Sequence, residues 1–390
     1  MSLAAFVYLV AAYLAVLIFT LFFKVIFKTV DMTILYIYNI LYMIGFSLQF
    51  GADATGEKLI QFIFDYLISM AAFIVIFLII RYTGIMNSGY IAAIFAIGSI
   101  GLLLAARLIG GRTYGTYNWI GPLQPSEFIK LAVPFITAWC LKPNVGSKLK
   151  IIGRSSVIPM RHFGFLAIQA VIIGLMGAIN KEFGTALIIA GMMMVCFLCM
   201  SSSWFWKIIL SAASFLISFV LIFVVDLLQG RVLIWLDPLG EGAKLDNAEV
   251  FVKFFRLINT TGWYGGGFSG AATANARERY SDFAFMSAVQ AGGVLLGLAI
   301  TGAFIAIIVY GIKIASRQKE QESLLVFSAL AILSFTVIIH IGGNLTSLPL
   351  TGICLPALSS GTQAAICNAG LIGIIMAFSG RKVRAIHVDT

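Results

Sequence analysis

The chain has 390 residues, of which 61% are hydrophobic and only 11% are charged, and its mean hydropathy is +1.01. Soluble domains carry about 25% charged residues, so this chain has less than half the charge that a globular surface needs. The composition therefore excludes a soluble enzyme, a disordered chain and a secreted disulfide scaffold. It predicts a polytopic membrane protein.

Hydropathy predicts an all-α fold of about eleven transmembrane helices, because a membrane-spanning helix needs about 20 mostly apolar residues. The predicted spans are 3–27, 33–50, 59–81, 88–109, 126–142, 162–179, 183–202, 205–227, 283–312, 323–346 and 361–379. Only the polar residues 180–182 and 201–203 divide the run from 162 to 227.

The charged residues bear on orientation and partners. The chain has 26 basic and 16 acidic residues, a formal net charge of +10. Nucleic-acid binding requires basic residues gathered on one face, whereas these are scattered among short loops. We therefore expect the chain to contact membrane lipid and not to bind nucleic acid.

Loops rich in Lys and Arg stay cytoplasmic, and the segment 142–161 holds five basic residues and no acidic one. The loop 313–322 and the C-terminal tail also carry basic residues. We therefore expect a cytoplasmic C-terminus, an external N-terminus and a long external loop at about 228–282.

Ionisable residues in or beside membrane helices mark candidate functional positions. In NWIGPLQPSEFIK (118–130), Pro125 interrupts the regular backbone just before a predicted helix. Glu127 and Lys130 follow with i,i+3 spacing. This spacing suits an ordinary intrahelical ion pair, and it also suits a polar site buried at the outer leaflet. A second charged cluster, NKEFGTA (180–186), lies at another outer helix end.

Three further motifs follow in the second half of the chain. GWYGGGFSG (262–270) is too rich in glycine for a helix and predicts a backbone turn that approaches another segment closely. RERYSDFAF (277–285) places charges where a membrane helix begins. LPLTGICLPALSSG (348–361) has two prolines and two glycines, and such irregular backbone persists at membrane depth only where protein or water covers it.

Together with RVLIWLDP (231–238), these five motifs resemble, in the same order, the motifs of the SEDS family (RodA, FtsW, SpoVE). These are polytopic proteins of bacterial shape, elongation, division and sporulation. The resemblance implies a SEDS transmembrane core of ten spans over 31–390, preceded by an extra N-terminal transmembrane helix over 1–30.

The chain departs from the family pattern at several positions, which leaves open whether it serves elongation, division or sporulation. The departures are Asn118, Lys181, Glu182, Arg277, Gln290, Ala291 and His340. His340 stands where the family has Asn, and we interpret it as a hydrogen-bonded replacement and not a metal ligand. Asp65 matches no motif, and we expect it to have a helix-packing or interfacial role.

The resemblance implies a peptidoglycan glycosyltransferase that polymerises lipid II at the outer face of the bacterial cytoplasmic membrane. Converting an α-linked sugar diphosphate into a β-1,4 glycan inverts the anomeric carbon and needs one base for the acceptor hydroxyl. The family motif assigns that catalytic role to Asp282. An Asp just before an apolar helix is also a favoured N-cap residue. From its position alone, Asp282 would be interpreted as a helix cap.

The leaving diphosphate needs cationic stabilisation. Arg277 and Arg279 are the candidates for this role, with local pairing to Glu278 and Asp282 as the structural alternative. Glu278 is the next candidate base. The full set of substrate-binding candidates is Arg277, Glu278, Arg279, Trp119, Glu127, Lys130 and Glu182. No metal ligand is assigned, and participation of a divalent cation, Mg²⁺ or Mn²⁺, stays open.

The resemblance also implies partners. The ligands would be lipid II and the growing glycan strand, and a class B penicillin-binding protein would supply the transpeptidase, alongside other elongation or division proteins. A lipid II flippase is the alternative function, because many spans with buried charges would also suit a transporter. No inverted repeat with paired broken helices is apparent in the sequence, which favours the enzyme.

Overall fold

The computed structural model describes most of the chain. The described residues are 3–52, 56–85, 88–113, 116–142, 160–200, 226–237, 261–268 and 281–380. The predicted span 205–227 lies almost entirely outside them.

Helices dominate the described residues, with one short β-hairpin between the fourth and fifth. In chain order the elements are α1 (Leu3–Ile26), α2 (Thr33–Ala52), α3 (Glu57–Tyr82), α4 (Gly89–Ile109), β1 (Gly111–Thr113), β2 (Thr116–Trp119), α5 (Pro125–Cys140), α6 (Met160–Gly174), α7 (Phe183–Met200), α8 (Asp226–Leu236), α9 (Ala284–Ala315), α10 (Glu320–Asn344) and α11 (Thr362–Met376). One turn of π-helix, Leu175–Ile179, continues α6.

The helices confirm the all-α polytopic fold, because each predicted span other than 205–227 coincides with a helix. Six helices of the described part, namely α1 to α4, α9 and α10, are long and apolar enough to cross a membrane. Apolar side chains such as Leu108 (81% exposed) and Ile97 (72% exposed) face outward, where a bilayer would cover them.

The described parts of the sequence motifs lie toward one end of the bundle, which we call the motif end. There α4, α6 and α10 end, and α5, α7, α9 and α11 begin. The hairpin β1–β2 lies at this end, where the Tyr117 N–H donates to the Asn180 carbonyl (2.9 Å). The Gln363 side chain donates to the Pro122 carbonyl and accepts the Gln124 N–H, so the start of α11 adjoins the start of α5.

Residues 345–361, between α10 and α11, fold back into the bundle, and we call them the re-entrant segment. The Ala357 carbonyl lies 2.7 Å from where a Cβ on Gly45 of α2 would stand. The Thr362 hydroxyl, at the start of α11, donates to Asp65 of α3 (2.5 Å). Because Asp65 lies eight residues after the start of α3, α11 begins about 12 Å inside the bundle. This depth accounts for the length of α11, which has only 15 residues.

The opposite end of the bundle is tied together by Arg81, at the end of α3. Its guanidinium donates to the carbonyls of Ala377 (3.0 Å) and Ser379 (3.1 Å), just beyond α11, and to the Thr29 hydroxyl (3.2 Å). The Ser379 hydroxyl accepts the N–H of Asp31 (3.0 Å). The last carbonyls of a helix have no intrahelical partners. Arg81 donates to two carbonyls just beyond the end of α11.

Aromatic side chains pack α1 against α3. The Phe23 ring lies 5.2 Å from that of Phe73 and 5.1 Å from that of Phe77, centroid to centroid. A polar contact joins α1 to α2, because the Asn39 amide donates to the Thr20 hydroxyl (2.8 Å).

The division of the chain into an extra helix (1–30) and a SEDS core stays a prediction.

The glycine-rich turn approaches a break in α9, as its composition predicts. The break is at Gly293, whose φ of 73° and ψ of −172° are not helical. The N–H groups of residues 266 and 267 donate to the carbonyls of 290 and 291, and those of 294 and 295 donate to the carbonyls of 262 and 263, at 2.9–3.3 Å. The turn therefore supplies partners for the backbone groups around the break.

Substituting Gly293 tests this docking. A Cβ there would require the left-handed φ and would press on the Trp263 carbonyl, so we expect Gly293→Ala to lower the melting temperature of the detergent-solubilised protein. Gly302→Ala in the same helix is the matched control, because no atom of the described residues lies within 4 Å of its Cβ position. A helical Gly-to-Ala change should stabilise by about 0.5–1 kcal/mol. Equal melting temperatures for the two variants would contradict the docking.

Candidate active site

The first turn of α5 buries an ion pair. Pro125 takes the first helical position, where its missing N–H has no intrahelical partner to lose. The Lys130 Nζ lies 2.7 Å from the Glu127 carboxylate, and the two side chains are 1% and 8% exposed, respectively. The pair is intrahelical, as its spacing predicts, and it lies inside the bundle.

A second buried carboxyl lies in the turn between the π-helix and α7. Glu182 accepts a hydrogen bond from the Thr185 hydroxyl (2.8 Å). Burial raises the pKa of Glu182 to about 7; the Ser126 and Thr185 hydroxyls and the charge of Lys130 oppose the rise, whereas the charge of Glu127 adds to it. Lys130, the ion-pair partner of Glu127, therefore also lies within electrostatic reach of Glu182.

Asn180 fixes the turn that carries Glu182. Its side-chain amide donates to the Leu103 carbonyl in α4 (3.1 Å), in addition to the bond that its carbonyl accepts from the hairpin. Lys181 has a φ of 58° and is exposed. The two charged residues of NKEFGTA thus diverge, with Glu182 turned to the interior and Lys181 to the outside.

Asp282 lies just before α9, half-buried against the re-entrant segment. Its Oδ2 is 3.3 Å from the position that a Cβ on Gly352 would occupy, and the Gly352 φ of 71° also favours glycine. α9 begins at Ala284 with Phe283 as its N-cap residue. Asp282 is therefore not the N-cap residue that its position alone would favour.

Cys354, in the re-entrant segment, lies within electrostatic reach of Asp282, Glu127 and Lys130. The candidate active site consists of Glu127, Lys130, Glu182, Asp282 and Cys354.

Polar side chains from the helices satisfy the irregular backbone beside this site. His340 Nδ1 is hydrogen-bonded to the Ile353 carbonyl (2.5 Å), which agrees with its interpretation as a hydrogen-bonded residue. The Ser359 hydroxyl accepts the Leu355 N–H (2.7 Å) and donates to the Ser281 carbonyl (2.6 Å). The re-entrant segment is thereby joined both to α10 and to the residues before α9.

Asp65 has the helix-packing role that we expect for it. It is buried in α3, and the Thr362 hydroxyl donates to its Oδ1. A carboxylate beside the first residue of α11 also interacts favourably with the positive end of that helix.

The structure places only some of the other predicted site residues. Trp119 is half-buried at the end of β2. Arg277, Glu278 and Arg279 lie outside the described residues, so their relation to the site stays a prediction. Within the described part of the chain, no three His, Cys, Asp or Glu side chains lie close enough to hold a metal ion. Those residues therefore do not by themselves form a divalent-cation site.

Sequence reasoning did not single out Asn344, Ser359 or Cys354. Ser359 and Cys354 lie inside the motif LPLTGICLPALSSG, and the rule that buried backbone needs partners could have pointed to the serine. Asn344 gives no such signal, because a polar residue at the end of an apolar helix has many ordinary explanations.

The family model of the FtsW/RodA/SpoVE cell cycle proteins matches residues 20–383. The chain belongs to this family. The resemblance that the six motifs carry is thus confirmed.

Relatives of this SEDS-family chain include MrdB of Escherichia coli K12, named a peptidoglycan glycosyltransferase. It is 26% identical over 289 residues, which cover 70% of this chain and 74% of MrdB. FtsW of Helicobacter pylori J99, named a probable peptidoglycan glycosyltransferase, is 22% identical over 307 residues, which cover 72% of this chain and 77% of FtsW.

A solved structure confirms the SEDS fold. A chain from a peptidoglycan synthase complex that coordinates polymerization and crosslinking superposes with a TM-score of 0.70 at 18% identity. The match covers 89% of this chain and 97% of that one.

Removing Lys130 tests the burial of the ion pair. Lys130→Ala leaves Glu127 without its partner, which costs about 3–5 kcal/mol for a buried pair but under about 1 kcal/mol for an exposed one. We expect a much lower melting temperature in detergent, partly recovered in the double variant Glu127→Gln/Lys130→Met, which carries no charge at either position. A wild-type melting temperature for Lys130→Ala would contradict the burial.

Proposed function

We propose that this chain is a peptidoglycan glycosyltransferase that polymerises lipid II at the outer face of the bacterial cytoplasmic membrane. The observation that carries the proposal is that the buried Glu127–Lys130 ion pair and Asp282 lie at the same end of the bundle, with Asp282 against the re-entrant segment. MrdB and FtsW, whose names describe this activity, support it. A lipid-linked sugar diphosphate combines an apolar chain, which suits a membrane bundle, with negative charge, which suits a buried lysine.

In the proposed reaction, the 4-hydroxyl of the acceptor sugar attacks the anomeric carbon of an α-linked sugar diphosphate. The β-1,4 bond forms while the bond from that carbon to the diphosphate oxygen breaks. The lipid diphosphate leaves with the electron pair, and the hydroxyl proton passes to a base. Because a single displacement inverts the carbon, no second carboxylate nucleophile is needed.

Asp282 is the proposed base. It is half-buried at the motif end, and its carboxylate adjoins Gly352 of the re-entrant segment. Glu127 is less suited to the role because it is paired with Lys130, and Glu182 accepts the Thr185 hydroxyl. A positioned general base contributes about 10²–10⁴ in rate.

Cationic side chains would stabilise the leaving diphosphate. Lys130 supplies a buried positive charge within electrostatic reach of Cys354. Arg277 and Arg279 would add positive charge from the external loop. Preorganised charge of this kind acts most strongly where water is excluded. Glu278, Trp119, Glu127 and Glu182 would complete the substrate-binding surface.

The proposed orientation follows from the distribution of charge between the two ends. Arg81, Lys142, Lys313 and Arg317 lie at the opposite end, and the positive-inside rule makes that end cytoplasmic. The motif end is then external. Because α1 starts at the motif end, the N-terminus is external, and the C-terminus, which follows α11, is cytoplasmic.

The proposed partner is a class B penicillin-binding protein, which would crosslink the glycan that this chain makes. The structural neighbour comes from a complex that coordinates polymerization with crosslinking. Lipid II and the growing glycan strand would be the ligands, and other elongation or division proteins would complete the assembly.

The Asp282→Asn variant tests the proposal. Asn keeps the shape of the side chain but removes the base, so we expect glycan polymerisation to fall by at least about a hundredfold while lipid II binding is retained. The measurement is gel-resolved glycan made from lipid II by purified protein in detergent, with the partner and divalent cation supplied. Detergent abolishes membrane sidedness, so flipping has no effect on this readout.

The matched control is Asp31→Asn, another aspartate just before a helix. Asp31 accepts hydrogen bonds from Thr33 at the opposite end of the bundle, and Asn also caps helices well, so activity should be unchanged. Full activity in Asp282→Asn would mean that another residue is the base, and Glu278 would be the next candidate. Absence of polymer from the wild-type protein would contradict the enzyme and favour the flippase.

A further inference from the structure

Asn344, the last residue of α10, makes three hydrogen bonds from a completely buried position. Its side-chain nitrogen donates to the Asp282 carbonyl (2.8 Å) and to the carbonyl of His340 in its own helix (3.0 Å). Its side-chain oxygen accepts the Met286 N–H (3.1 Å). A single amide therefore bridges the end of α10 and the start of α9.

The bond to Met286 gives Asn344 the function of a helix cap supplied from a neighbouring helix. The first N–H groups of a helix have no intrahelical partners, and a local N-cap side chain usually serves the second or third. Met286 is the third residue of α9, and Phe283, at the N-cap position, makes no side-chain cap bond. Asn344 takes that N–H while it holds the carbonyl of Asp282.

The peptide that carries Asp282 is thus held from two elements. Ser359 of the re-entrant segment donates to the Ser281 carbonyl (2.6 Å), and Asn344 of α10 donates to the next carbonyl (2.8 Å). Holding two successive carbonyls fixes the rotation of the backbone between them. That rotation sets the direction in which the Asp282 side chain leaves the chain.

We propose that Asn344 is a positioning residue for Asp282, an inference that rests on the proposed function. Asn344 is not required to contact substrate: it fixes the backbone from which the base acts. A misplacement of about 1 Å can lower a catalysed rate by about 10²-fold. Loss of Asn344 should therefore lower kcat and leave KM, which reports ground-state binding of lipid II, nearly unchanged.

The test compares Asn344→Ala and Asn344→Asp with Thr336→Val in the polymerisation assay. Asp keeps the size and the acceptor oxygen of Asn, so it provides a folded variant if Ala does not fold. Thr336→Val is the matched control, because Thr336 is a completely buried residue of α10 whose hydroxyl donates to Ile332 of the same helix (2.8 Å). We expect kcat to fall about tenfold or more in both Asn344 variants, with wild-type kcat in the control.

A second arm repeats Asn344→Ala in the Asp282→Asn background, with radiolabelled lipid II so that weak activity is measurable. If Asn344 acts through Asp282, the second substitution lowers the remaining rate by less than about twofold, because coupled positions are not additive. An equal loss in both backgrounds, or wild-type kcat in a folded Asn344 variant, would overturn the proposal. Absence of polymer from the wild-type protein would instead overturn the proposed function.

Discussion

The irregular backbone of residues 345–361, inserted between membrane helices, is the constraint on which the rest of the site depends. Backbone N–H and C=O groups at membrane depth must find partners within the protein. His340 supplies one at Ile353, and Ser359 supplies another at Leu355. The Ser359 hydroxyl also donates to the Ser281 carbonyl, so a side chain that satisfies this segment also holds the residues just before α9, next to Asp282.

Buried charge is the second consequence of this architecture. Glu127 and Lys130 are tolerated inside the bundle because each neutralises the other at 2.7 Å, yet removing either would leave an unpaired ion in a medium of low dielectric constant. The charge of the same lysine also acts on the buried Glu182 carboxyl. An arrangement of this kind adds little to stability compared with apolar packing, which supports our proposal that it serves the chemistry of a charged substrate.

The sequence predicted those features that local chemistry determines. The helix bounds follow from apolar runs, the ion pair follows from i,i+3 spacing, and the close approach of the glycine-rich turn follows from the lack of Cβ atoms. The depth of the re-entrant segment could not be predicted, because it depends on contacts such as Thr362 with Asp65, residues that are 297 positions apart. The role of Asn344 is hidden for the same reason: it joins the ends of two helices that only the folded bundle brings together.

A structure of the protein with a non-hydrolysable lipid II analogue and an acceptor glycan bound would test most directly whether Asp282 is the base. We predict that the diphosphate lies beside Lys130 at the motif end. We also predict that the acceptor 4-hydroxyl lies within about 2.6–3.2 Å of the Asp282 carboxylate, the reach of a hydrogen bond. A substrate bound at the opposite end of the bundle, or a carboxylate other than Asp282 in contact with that hydroxyl, would contradict the assignment of Asp282 as the base.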